Sequence, residues 1–140
     1  MSIDQRDQMR KVFVDAWTKF KNQQSLSSLE TQIIELIQQH PEYIDLFDNP
    51  EQHFQQNYST DTNPFLHLSL HLSLREQIAT HRPQGIQTIY QNLLNKYHNQ
   101  QEVEHLMMDV LAHILWDAQK NGVLASEELY LERLRRLLVE

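Results

Sequence analysis

Cysteine is absent from the 140 residues. Disulfides and thiolate metal sites are therefore excluded. Glycine is nearly absent, at two residues. That leaves little material for hairpin turns or phosphate-cradling loops, and it argues for helices over strands. Basic residues are outnumbered: 12 Lys and Arg stand against 19 Asp and Glu, for a formal net charge of −7. A nucleic-acid partner is disfavoured, because phosphate binding needs concentrated Lys and Arg. No apolar run approaches the roughly 20 residues that span a bilayer, so no membrane association is expected. The first residues, Met1 to Gln8, lack the apolar stretch of a signal peptide. A cytoplasmic protein is the expectation, and a chain without cysteine is compatible with a reducing compartment.

The remaining composition is that of an ordinary folded chain, 40% hydrophobic and 22% charged. The length suggests a single domain over 1–140. A domain of this size buries roughly 68–70% of its unfolded surface, so its core needs no external staple.

Apolar spacing predicts helices along most of the chain. Over 4–21 the stripe is Met9, Val12, Phe13, Ala16, Trp17 and Phe20. A second helix starts near Ser27 or Ser28, either of which can cap it, and Pro41 ends it by disfavouring helical geometry at His40. Pro41 to Phe47 fits a short helix with Pro at its first position. Residues 48–62 read as a polar loop, with His53 exposed on it. Asn63 and Pro64 are then a good cap and first residue for a helix over 64–80. The alternation of Leu66, Leu68, Leu70, Leu72 and Leu74 imitates a strand. The Asn-Pro start, the leucine content and the continuation through Arg75, Glu76, Gln77 and Ile78 favour a helix. Further helices follow over 84–97, 101–120 and 126–138, the last capped by Ser126, with Gly122 ending the one before it. The expected fold is all-α, a bundle of about five main helices of up-down type.

The chemistry concentrates in the helix over 64–80. His67 and His71 stand four residues apart, so both imidazoles share one face and can reach one ion. On a helical wheel they lie near the middle of a wide apolar arc. Other ligands must come from facing helices, as bundles commonly arrange. Glu104, inside the apolar arc of its helix, His105 at that arc's edge, and Glu30 on the second helix are the inward candidates. Such a donor set suits Zn, Fe, Mn or Ni without identifying which. For Glu30 a plainer role competes: early in a helix, it complements the macrodipole. His67 and His71 also have a plainer reading, as neutral core imidazoles hydrogen-bonded to Glu30 and Glu104 in a network that fixes helix register.

Formal motifs add little. Glu102-Val103-Glu104-His105 has the Glu-x-x-His spacing of ferritin-like di-iron proteins, but Glu102 points to the polar side and no second copy exists. The interval from His67 to His71 lacks the glutamate of a zincin motif. There is no Gly-flanked serine, and Ser69 and Ser73 read as helix-surface residues.

Together these residues resemble the DUF1841 family. The resemblance rests on Asn63-Pro64-Phe65-Leu66-His67 with His71, on Arg75-Glu76-Gln77, and on Arg82-Pro83-x-Gly85. Glu104-His105-x-Met107-Met108, Leu115-Trp116-x-Ala118-Gln119, His40-Pro41-Glu42-Tyr43 and Leu29-Glu30 extend it over nearly the whole chain. It implies a small bacterial cytoplasmic protein and supplies no activity. Two function classes follow from the residues. One is a metal-binding helical protein with His67, His71, Glu104, His105 and Glu30 as ligands; as an enzyme it would run metal-assisted hydrolysis or oxygen chemistry. The other is a non-catalytic interaction or homodimerisation module with the same residues in a buried polar network.

Overall fold

A computed structural model of the chain describes residues 3–49 and 64–139. Among these residues there are seven α-helices, one 3-10 turn and no strand. The helices are α1 (Ile3–Lys21), α2 (Ser28–Gln38), α3 (Ile44–Asp48), α4 (Pro64–Thr80), α5 (Ile86–Tyr97), α6 (Gln100–Asn121) and α7 (Glu127–Arg136). The all-α class is thus as expected. The expected polar loop, with His53, and the capping role of Asn63 lie almost wholly outside the described residues. None of the helices is long and apolar enough to cross a membrane, among the described residues. The chain groups into two compact units, Met1–Leu72 and Ser73–Glu140, and the division falls within α4.

In the first unit, α1 and α2 are joined by a short turn that Ser27 closes. Ser27 Oγ accepts from the Glu30 N–H (3.1 Å), and the Glu30 carboxylate accepts from the Ser27 N–H (2.8 Å). This reciprocal pair is a capping box, which satisfies two of the donors a helix start leaves orphaned. Behind it, α2 buries Ile33, Ile34, Leu36 and Ile37. They pack with Phe13, Ala16 and Trp17 of α1, Leu46 and Phe47 of α3, and Phe65 and Leu68 of α4. Pro41–Tyr43 forms a 3-10 turn before α3, where a single short helix was expected. Trp17 is anchored at its polar edge, its Nε1–H donating to Asp48 at 2.7 Å. A buried indole without that partner would carry a desolvation cost of roughly 1–3 kcal/mol.

α4 resolves the ambiguity of its alternating leucines. Phe65, Leu68, His71 and Leu74 are its deeply buried residues, at intervals of three. Leu66, Leu70 and Leu72 are only half-buried, and Ser73 and Glu76 are exposed. A strand would have buried Leu66, Leu68, Leu70, Leu72 and Leu74 alike.

In the second unit, α5 starts after Gly85, whose φ of 101° suits glycine. α6 is capped by Asn99, whose side chain accepts from the Glu102 N–H at 2.9 Å, and it ends at Gly122 with φ 67°. Ser126 caps α7, accepting from the Leu129 N–H at 3.2 Å. α7 is held at its far end by α5: Lys96 Nζ donates to the Leu137 and Leu138 carbonyls at 3.0 Å each. A cation there complements both the open carbonyls and the negative end of the helix dipole. Leu74, Ile86, Ile89, Leu93, Val103, Met107, Leu111, Ile114 and Leu134 are its main buried apolar residues.

Candidate metal centre

The last turn of α2 sets the first element of the site. Pro41 removes helical geometry as an option for His40, which sits at φ −125° and ψ 69°. This bend turns the imidazole back along the helix it follows. His40 Nδ1 lies 2.7 Å from the Leu36 carbonyl oxygen. A carbonyl oxygen only accepts, so Nδ1 carries the proton and Nε2 presents its lone pair. The Tyr43 ring stacks on the same imidazole, with centroids 5.5 Å apart and planes 5° off parallel. Burial, and behind it the nearby Glu42 charge, pushes the Tyr43 phenol up from its ordinary value.

The first half of α4 brings the other two histidines to that lone pair. His67 Nε2 is 3.1 Å from His40 Nε2, although the two residues are 27 positions apart. The His40 and His71 rings stand edge-on, with centroids 5.3 Å apart, and those of His67 and His71 are 6.0 Å apart. One ring nitrogen from each of His40, His67 and His71 lies within 4.8 Å of the other two. His40 and His71 are 3% and 0% exposed, and His67 is half-buried.

The 3.1 Å approach has two chemical meanings. His67 Nε2–H donates to the His40 lone pair, or both lone pairs point at a shared cation. Two ligands each about 2.0–2.1 Å from zinc and 3.1 Å from each other would subtend about 100° at the metal, near a tetrahedral angle. The His40–His67 spacing is therefore compatible with an ion of this size.

The structure brings His67 and His71 together as the helical spacing implied, and joins to them His40, which sequence reasoning had treated only as a helix end. Of the other candidates, Glu30 has a different role. Glu30 caps α2, and its second oxygen meets Lys19 Nζ at 2.8 Å. Glu30 stands in the first turn of α2 and His40 beyond its end at Gln38, with eight residues of helical rise, about 12 Å, between Glu30 and that end. The Lys19 contact, aided by the Ser27 N–H, holds the Glu30 carboxyl down at about 2. The expectation of Glu30 as an inward carboxylate thus gives way to the plainer role at the helix start.

Glu104 and His105 belong to the second unit, on α6. Glu104 is 1% exposed, as its place in the apolar arc implied. Its carboxylate accepts from Arg75 Nε and from the Tyr90 hydroxyl, each at 3.0 Å. Burial, with the Glu104 charge second, pushes the Tyr90 phenol up to about 12. Arg75 thereby balances the one buried carboxylate among the described residues. His105 is half-buried beside it.

A family model described as a domain of unknown function, DUF1841, matches residues 5–136 of the chain. No curated protein and no solved structure matches it.

Proposed function

The chain belongs to the DUF1841 family, and we propose that it is a helical protein that binds one divalent metal ion through its buried histidines. His40 Nε2, His67 Nε2 and a ring nitrogen of His71 are the ligands. The single observation that carries the reading is the convergence of the three nitrogens of the first unit, with His40 Nε2 and His67 Nε2 at 3.1 Å. The Leu36 carbonyl supports it, because a ligating histidine ordinarily donates its other ring N–H to such a partner, which fixes the tautomer and raises ligand basicity.

The test is metal content. The protein without a histidine tag is loaded with zinc, desalted and assayed by elemental analysis, alongside His40→Ala, His67→Ala and His71→Ala. One ion per chain is expected in the parent and a clear loss in each variant.

A second reading draws on the same distance. At 3.1 Å the two Nε2 atoms are also at hydrogen-bond separation. The imidazoles would then form a buried network in a non-catalytic interaction module. Absence of bound metal from the parent protein would select this reading.

A further inference from the structure

The sequence left the ligand set mixed, with carboxylates beside imidazoles, and the metal open among zinc, iron, manganese and nickel. We infer that the centre is an all-nitrogen one that takes late first-row ions of the zinc class and excludes manganese and magnesium. This rests on the proposed metal reading.

Three observations carry it. Among the first-unit residues whose side chains are described, which leave out 1–7, 9 and 50–63, no Asp or Glu is buried, and the buried polar side chains are His40 and His71. The carboxylate proposed from the same unit, Glu30, is held by the Ser27 N–H on one oxygen and by Lys19 on the other. The buried carboxylate of the second unit, Glu104, has Arg75 on one oxygen and Tyr90 on the other. A guanidinium beside a carboxylate cancels the charge that would draw a cation. An ion held here would therefore meet neutral imidazoles.

Neutral nitrogen donors sort metals. Hard ions such as magnesium and manganese prefer oxygen and anionic donors, whereas imidazole suits zinc, copper, iron and nickel. Manganese and magnesium would gain little from imidazole and would lose their water in a buried site. A zinc-class ion gains strong nitrogen bonds. Its charge also lies near the carbonyl end of α2, through His40 and Leu36, where the helix dipole presents about half a negative charge.

The test supplies the ions singly to tag-free, full-length protein. Manganese binding is read by loss of the free aqueous manganese paramagnetic signal, and zinc binding by elemental analysis and zinc-edge X-ray absorption. Cobalt(II) spectra are recorded for the parent, Glu30→Gln and Glu104→Gln. The expected result is one zinc per chain, an absorption edge fitted by imidazole scatterers, no loss of the manganese signal, and a cobalt spectrum unchanged by either substitution. Stoichiometric manganese binding, or a cobalt spectrum altered in Glu30→Gln, would overturn the inference while leaving metal binding in place. If Glu104→Gln fails to fold, the manganese titration and Glu30→Gln still decide. Failure of zinc itself to bind would remove the parent reading and this one together.

Discussion

Replacing His40 by alanine separates its structural from its metal-binding role. In metal-free protein the substitution deletes the buried hydrogen bond to the Leu36 carbonyl, worth about 1 kcal/mol, and the stack on Tyr43, worth roughly 0.5–1.5 kcal/mol. A loss of about 2 kcal/mol is expected in urea unfolding without metal. The metal adds a second difference. Zinc held at a thousand times its dissociation constant would stabilise the parent by about 4.1 kcal/mol. Loss of one ligand should weaken zinc binding by at least the roughly 100-fold seen when an outer-shell partner is lost. At the same free zinc the variant then sits at about ten times its dissociation constant, and its gain falls to about 1.4 kcal/mol. The assay is a pair of urea curves, with and without zinc, for each protein. The variant should lose about 2.7 kcal/mol of the zinc-induced gain, a difference separate from its metal-free loss. An equal zinc-induced gain in parent and variant would refute His40 as a ligand.

Other expectations concern the supporting structure. Ser27→Ala removes the capping box of α2 and should cost about 1 kcal/mol in urea unfolding, with zinc uptake unchanged. Glu30 has its folded value depressed from 4.5 to about 2. Its stabilising contribution is therefore full above pH 4.5 and lost as pH falls towards 2, so the acid-stability curves of parent and Glu30→Gln should converge in that window. Arg75→Ala strands the buried Glu104 carboxylate and should cost roughly 3–5 kcal/mol, a loss that falls as pH is lowered and the carboxyl takes up a proton. Leu68→Ala opens a cavity at a fully buried position and should cost about 2–5 kcal/mol in the same measurement.

Much of the helical frame was legible because its signals are local. Ser27, Ser126 and Gly122 mark helix ends within a few residues of themselves, and each does so in the structure. His67 and His71 were legible for the same reason, since an interval of four along one helix fixes a shared face. Their partner was not. His40 lies beyond the end of α2, where no wheel applies, and the Pro41 bend aims its ring at a residue 27 positions later. A histidine immediately before a helix-stopping proline was the available hint. Glu30 misled because its angular position is apolar while its axial position, at the start of α2, makes it a cap. Along α6 the stripe through Val103, Met107, Leu111 and Ile114 held, and Glu104 was legible within it. Leu115, four residues after the buried Leu111, is nevertheless 46% exposed. A helix of 22 residues turns its face by about 20° per heptad, so a stripe assigned at one end drifts at the other.

The central claim is that the three converging imidazoles of His40, His67 and His71 hold an ion. Elemental analysis of untagged, full-length protein after zinc loading and exhaustive desalting tests it most directly. The account predicts one zinc per chain in the parent and less than about a tenth of that when His67 and His71 are both replaced by alanine. A parent protein that retains no stoichiometric zinc, or a double variant that retains as much as the parent, would contradict it.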